Sequence, residues 1–244
     1  MKDAYSFHSS AESLQGTYDV MYETYSAIFT RTGLVFRAVL ADTGSIGGSH
    51  SHEFHVLAES GEDAIVFSTE GGYAANIEKA SAVASAQPST GGNGEITELA
   101  TPGVHTIAEL CQFMDTDVTQ ALKALIVSAE DGEGQTQLYG LMLRGDHELN
   151  EVKAQHALGL SSEITFATEE QIKGALNCAP GSLGPVNLNL PMVVDHSAAA
   201  LSDFVCGANR DGYHLTNVNW VRDCEEFTVA DIRNVVAGDP SPDG

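Results

Sequence analysis

The sequence predicts a mixed α/β protein in two parts. Three observations lead there. Leu14, Tyr18, Met21, Tyr22, Tyr25, Ile28 and Phe29 recur at helical spacing. Short apolar and β-branched runs bounded by Gly, Asn and Asp occur in both halves. Between the halves lies Gln87-Pro-Ser-Thr-Gly-Gly-Asn-Gly94, whose composition is that of a linker. The 244 residues allow one or two domains, and 43% hydrophobic residues suffice for a core.

Taken in order, Ser9-Ser-Ala-Glu12 reads as a capping box that starts the first helix, and Gly33 ends it. The apolar stripe between them is expected to be core. Residues 35–40, 54–58 and 64–67 read as strands, with Gly61-Glu-Asp63 as the turn before the third. A short helix is expected over 73–84, before the linker. After the linker, Thr106 starts a helix. Residues 122–129 and 138–143 form a hairpin around Glu130-Asp-Gly-Glu-Gly134. Asp146 is expected to cap a helix beginning at His147, and Thr168-Glu-Glu-Gln171 to cap another. Strands at 191–194 and 213–220 complete this part, which has an ordinary domain size.

Composition narrows the function classes. No apolar run approaches the roughly 18 residues needed to cross a bilayer, and the first residues form neither a signal nor a transit peptide, so a cytoplasmic location is expected. Cys111, Cys178, Cys206 and Cys224 show no Cys-x-x-Cys pairing, which favours free thiols over a disulfide framework or a zinc site. With 34 acidic and 11 basic residues the formal net charge is -23. Phosphate contacts supply most nucleic-acid affinity, so any such ligand is expected to bind weakly and through a few local contacts.

The densest chemistry lies between residues 177 and 223. There a Gly-Pro loop, Gly181-Ser182-Leu183-Gly184-Pro185, precedes a strand ending at Asp195 and a strand carrying His214. Two glycines leave the main-chain N–H groups approachable, and the proline stiffens the exit, so the loop suits an anion or a carbonyl. The same residues also make an ordinary turn. There is no Gly-x-Ser-x-Gly elbow, no ordered Ser, His and Asp set and no reactive cysteine context, which argues against a covalent nucleophile.

Longer stretches carry a resemblance. Met1-Lys-Asp-Ala-Tyr-Ser-Phe-His8, Ala41-Asp-Thr-Gly-Ser-Ile-Gly-Gly-Ser49, Ser51-His-Glu-Phe54, Phe67, Tyr73-Ala-Ala-Asn-Ile77, Arg144-Gly-Asp-His-Glu-Leu-Asn-Glu-Val-Lys153, Gly181 to Asn187 and Asp231 to Gly244 together resemble the bacterial-type prolyl-tRNA synthetases over essentially the whole chain. What is resembled is the middle of such an enzyme. The resemblance implies residues 1–67 as part of the class II catalytic domain, with its antiparallel sheet. It implies residues 68–244 as the inserted editing domain, of the YbaK-like fold with a mixed sheet and flanking helices, whose end returns towards the catalytic domain. The chain begins after the motif 2 arginine of that family and stops before motif 3, so proline activation is not expected.

The activity implied is hydrolysis of mischarged alanyl-tRNA(Pro) by direct attack of water, in a pocket that admits alanine and excludes proline by size. Water attack is expected to be assisted by the N–H groups of Gly181 to Gly184, which steady the oxyanion, and by the 2′-hydroxyl of the terminal adenosine. Matched to the family's pocket, Lys123 would hold the phosphate or ester region of the tRNA end, or else be a solvated strand lysine. Asp195 would meet the substrate's α-ammonium, or else form a turn. His214 would wall the pocket, or be a half-buried strand histidine. Ile107 and Leu110 would line it, or be ordinary core. No metal and no cofactor are expected for editing, ATP and Mg belonging to the full-length synthetase alone. The implied partners are the acceptor end of tRNA(Pro) charged with alanine, the rest of the synthetase, and a second copy in a full-length homodimer.

Two other classes compete. His50-Ser-His52-Glu-Phe-His55 has the composition of a zinc tract, although on a strand His50 and His52 share one face while His55 takes the other. The chain could also be a noncatalytic module that only contacts tRNA or protein.

Overall fold

The N-terminal apolar stripe does form a helix, α1 (Ala11–Arg31), but none of its residues is buried. Its aromatic face instead lies on Phe54 and Phe36. Tyr22 and Tyr25 sit 5.2 Å and 5.4 Å from the Phe54 ring, and Phe29 stacks on Phe36 at 5.2 Å. Leu14 and Ile28 remain 45% and 48% exposed, so the stripe covers a sheet without being sealed by anything above it. The cap is Ser10, whose hydroxyl accepts from the Ser13 N–H, one position later than the expected box. The computed structural model describes residues 4–44, 50–61, 63–83, 89, 91–130, 134–224 and 226–243. The first three residues, 45–49 of the glycine-rich stretch, most of the linker's first half, the hairpin turn at 131–133 and Gly244 therefore lie outside the described residues.

Contacts divide the chain into two units, Met1–Ala80 with Asp243–Gly244, and Ser81–Pro242. In the first, β1 (Phe36–Leu40), β2 (His52–Val56), β3 (Ile65–Phe67) and β4 (Ala74–Asn76) form a sheet in the order β2, β1, β4, β3. The pairs β1 with β2 and β3 with β4 are antiparallel, but β1 and β4 run parallel where Leu40 meets Ala75, so the sheet is not wholly antiparallel as expected. Strand β4 also replaces the helix expected over 73–84. Ala-rich residues there favour a helix, but pairing on both sides overrides that weak preference. The C-terminal Asp243 belongs here, accepting from the N–H groups of Gly72 at 2.7 Å and Tyr73 at 2.8 Å.

The second unit contains β5 (Thr97–Ala100), α2 (Ile107–Met114), β6 (Leu122–Glu130), β7 (Thr136–Arg144), α3 (Glu151–Leu158), β8 (Thr165–Phe166) and α4 (Glu169–Leu176). It continues with β9 (Met192–Asp195), α5 (His196–Ala199), β10 (Phe204–Gly207), β11 (Tyr213–Val218), α6 (Trp220–Asp223) and β12 (Thr228–Ala230). Capping boxes at Thr106 with Glu109 and at Thr168 with Gln171 start α2 and α4 as expected. Helix α3 starts later than expected. Its cap is Asn150, because Asp146 is taken by Arg144, at 2.7 Å and 2.8 Å.

The β6–β7 hairpin anchors a mixed sheet in the order β12, β9, β7, β6, β8, with β9 parallel to both β7 and β12. An antiparallel sheet, β10, β11, β5, adjoins it through a parallel bridge between Ala121 and Val205. Between them lies the main core, where Leu122, Ile126, Met142 and Val194 meet Phe204, Leu215 and Trp220. The Trp220 indole N–H donates to the Ala198 carbonyl at 2.9 Å, so this large ring is buried without leaving its donor unpaired. On the outer side, α3 covers Val127, Leu141 and Val193, and α2 covers Ala121 and Val205. The architecture is mixed α/β, as the sequence predicts.

Candidate functional site

The Gly-Pro loop is fixed by backbone contact with β10. A Cβ added to Gly184 would collide with the Gly207 carbonyl, and one added to Gly207 would collide with the backbone of Ser182 and Leu183. The two glycines therefore let two chain segments touch, a role separate from approach by a ligand. The Gly207 N–H donates to the Leu183 carbonyl at 3.1 Å. Asn209, in the left-handed region at φ 51°, closes the clamp. Its backbone N–H donates to the Ser182 carbonyl at 2.8 Å, and its side chain donates to the carbonyls of Gly184 at 3.0 Å and Val186 at 2.9 Å. Its amide oxygen accepts from the Gly184 N–H at 2.9 Å.

This clamp revises the expected oxyanion cradle. The Gly184 N–H is occupied, and the Ser182 N–H donates to the Ala179 carbonyl at 3.2 Å. Among the described residues, the N–H groups of Gly181 and Leu183 make no hydrogen bond of this kind. Ser182, Leu183, Gly184 and Pro185 are buried, and the Ser182 hydroxyl accepts from the Gly212 N–H at 3.1 Å, which makes it part of the scaffold.

His214 lies beside this loop. It pairs across the sheet with Gly207 and alternates with core Leu215, so it emerges on the side of Val205, away from the main core. It is 3% exposed, not half-buried, and its Nδ1 lies 2.6 Å from the Thr101 hydroxyl. Burial lowers its pKa from the ordinary histidine value, and nearby His105 adds to this, while a backbone hydrogen bond with Gly181 opposes both. His105 also backs Gly181, where an added Cβ would sit 2.9 Å from the His105 Cα. Thr101, His214, His105 and Gly181 thus form one neighbourhood.

Lys123 alternates with core Leu122 and emerges on the same side as Ala121, which bridges to Val205. Its ammonium does not stand free as a solvated strand lysine would. It donates to the His147 carbonyl at 2.7 Å and to Glu148 Oε1 at 3.0 Å. His147 is itself 2% exposed, with Nε2 3.0 Å from an Arg144 nitrogen. Since guanidinium only donates, Nε2 accepts and the ring is neutral with its proton on Nδ1. That Nδ1 has no partner among the described residues. Burial and then the Arg233 charge lower the His147 pKa, in agreement with a neutral ring.

The remaining expected residues fall differently. Asp195 is 1% exposed, and its carboxylate accepts from the N–H groups of Ser197 at 2.9 Å and Ile232 at 3.3 Å, with the Arg233 guanidinium 3.8 Å away. One oxygen caps α5 and the other holds the segment that follows β12, and the carboxylate is sealed from solvent. Leu110 is sealed at 2% exposure among Val104, Ala121 and Val205, and is core; Ile107 is half-buried at the margin of that cluster. An open cleft of about 710 Å³ elsewhere on the unit is lined by Tyr139, Leu158, Met192 and Phe227 among others, and none of the loop residues, Lys123 or His214 contributes to it.

In the first unit, His52 bonds the Tyr18 hydroxyl at 2.7 Å and His55 pairs with Glu53 at 2.9 Å. No group of three or more metal-ligating side chains gathers among the described residues. The thiols are poor nucleophiles. Burial raises Cys178 to about 11 and Cys224 to about 12, and pushes Cys206 well above the usual range. No helix among the described residues is long and apolar enough to cross a membrane.

Sequence reasoning missed Thr101, Asn209, His147 and Glu148. The last two stand in plain view within Arg144-Gly-Asp-His-Glu148, and Asn209 precedes the Asp211-Gly212 turn, where Asn tolerates a left-handed backbone.

The family model for the aminoacyl-tRNA editing domain matches residues 101–224, just over half of the chain, and this stretch contains every residue of the neighbourhood just described. The chain belongs to that family. Structural relatives at low identity include a protein described as a proposed trans-editing enzyme for prolyl tRNA synthetase, with TM-score 0.49, 20% identity, and coverage of 57% of this chain and 87% of that one. A hypothetical protein gives TM-score 0.47 at 20% identity, covering 57% and 92%. A scaffold from computational epitope grafting gives 0.49 at 18%, covering 58% and 88%.

Two outcomes follow from this geometry. Gly184→Ala is expected to cost about 2 kcal/mol or more of stability, since backbone rather than a flexible side chain stands in the way. Gly174→Ala, in the middle of α4 with nothing within 4 Å, should instead stabilise, by about 0.5–1 kcal/mol. Denaturant unfolding of both variants checks this.

The second concerns pH. His147 and His214 have lowered pKa values when folded, so unfolding makes them easier to protonate. The stability they contribute is complete above the unfolded value of about 6.5 and is lost as pH falls through the folded values. The melting temperature should drop on acidification below that point, and the drop should be smaller in His214→Gln. An unchanged pH slope in the variant would remove His214 from this account.

Proposed function

We propose that the chain removes alanine from mischarged alanyl-tRNA(Pro), and that it is the editing portion of a prolyl-tRNA synthetase together with a part of the catalytic domain at residues 1–67. The observation that carries the proposal is that the editing-family match spans the clamped loop, the buried His214 beside it, and Lys123 on β6, which adjoins β10 through the Ala121–Val205 bridge. The resemblance of the motif stretches to prolyl-tRNA synthetases supplies the substrate.

The step needs water and groups of the protein and substrate only. Water oxygen attacks the ester carbonyl carbon, and the developing oxyanion is met by the N–H groups of Gly181 and Leu183. The carbonyl re-forms as the bond to the ribose oxygen breaks. The proton lost by water reaches that oxygen, by way of the neighbouring 2′-hydroxyl, giving free alanine and tRNA. Lys123 supplies positive charge for the RNA end. Neutral, hydrogen-bonded His214 contributes shape to the wall, and size excludes proline. Cytoplasmic location, where tRNA is charged, agrees with this function.

Deacylation of alanyl-tRNA(Pro) by the purified chain tests the proposal. Lys123→Ala is expected to slow hydrolysis about tenfold to a hundredfold, the effect of losing a charge-assisted contact. His214→Ala is expected to extend hydrolysis to prolyl-tRNA(Pro). Hydrolysis unchanged by Lys123→Ala, or continued discrimination by His214→Ala, would contradict these roles, and binding without any hydrolysis would make the chain a noncatalytic tRNA-binding module.

A further inference from the structure

Every lysine and arginine of the second unit stands within ion-pair distance of a carboxylate. An RNA phosphate that approaches this unit must therefore displace a carboxylate before it gains a full positive charge. The pairs are not equally easy to open. The side chain of Glu148, the partner of Lys123, is 77% exposed, whereas the carboxylates of the other pairs lie between 8% and 57%. A well-solvated carboxylate gains least from its partner and loses least on swinging into water.

Lys123 itself does not depend on Glu148 for its position. Its ammonium is also held at 2.7 Å by the carbonyl of His147, a residue 2% exposed, while the Lys123 side chain is only 19% exposed. The backbone around Glu148 is tied down as well, since its carbonyl accepts from the Asn234 N–H at 2.9 Å. One partner of the ammonium is thus buried and neutral, and the other is exposed and charged.

We propose that Glu148 is a displaceable counterion for Lys123, which occupies the ammonium in the free protein and gives it up to a phosphate of the RNA 3′ end. This rests on the editing reading for the identity of the ligand, and it adds a residue that sets affinity for that ligand. The carboxylate costs affinity, and it also discriminates. A weakly charged ligand does not repay the opening of the pair, whereas a phosphodiester of the acceptor end does, so the cation is available chiefly to RNA.

The test is equilibrium binding of a fluorescent, uncharged acceptor-stem RNA hairpin ending in a single-stranded 3′ CCA, read by anisotropy. Glu148→Gln and Glu148→Ala are both expected to tighten binding about two- to fivefold at low salt, the range set by a solvated ion pair. The gain should shrink at about 0.5 M salt, where screening reaches only a few Å. It should fall to the size of the Glu151→Gln gain when either substitution is combined with Lys123→Met. Glu151→Gln, which removes an equal exposed charge from the first turn of α3, should give a smaller gain.

Unchanged or weaker binding in both Glu148 variants overturns the proposal, as does a gain that keeps its full size without Lys123 or is matched by Glu151→Gln. Absence of measurable binding by any of the proteins overturns it too. Deacylation by the unaltered chain is scored separately. If it is absent while the Lys123-dependent gain is present, the hydrolytic reading fails and the counterion stands; the reverse pattern removes the counterion alone.

Discussion

Gly184 and Gly207 meet backbone to backbone, and the geometry of the candidate site depends on that contact. Neither position has room for a Cβ. Because the chains touch there, the Gly207 N–H reaches the Leu183 carbonyl and Asn209 reaches both edges of the loop, so one turn of the β10–β11 hairpin holds residues 182 to 186 from the outside. Within the loop the clamp takes up the Gly184 N–H, and the Ser182 N–H goes to the Ala179 carbonyl. A loop held in this way presents its donors without paying to order them when a ligand arrives, which is what electrostatic stabilisation of a developing oxyanion requires.

Charge is the second constraint. A unit so acidic cannot attract RNA at long range, and pairing of its cations reduces even local attraction. What the unit holds in fixed geometry is an ammonium anchored on a buried carbonyl, a histidine bonded to Thr101, and a clamped loop.

What was legible in the sequence was local. Thr106 and Thr168 declare their helices because a capping box is complete within four residues, and the β6–β7 hairpin shows in its alternation and its acidic, glycine-rich turn. What failed was decided by distant partners. Residues 73–83 carry helical composition, yet β1 and β3 recruit 74–76 as a strand. Asp146 resembles a cap but is claimed by Arg144, so the helix waits for Asn150. At the site, the glycine spacing revealed the loop, while nothing local showed that Asn209 would consume the Gly184 N–H or that Asp195 would be spent on Ser197 and Ile232. Lys123 was found through its resemblance to a family position, whereas its two acceptors lie more than twenty residues further along the chain.

The central claim is that Asn209 gives the loop its reactive geometry, and Asn209→Ala tests it most directly. The measurement is the single-turnover rate of alanyl-tRNA(Pro) hydrolysis at a temperature where circular dichroism shows the variant fully folded. Loss of the clamp is expected to lower this rate by about tenfold or more, the scale for a misplaced oxyanion donor, with a smaller change in substrate affinity. A folded Asn209→Ala protein that hydrolyses within twofold of the unaltered rate would contradict the account.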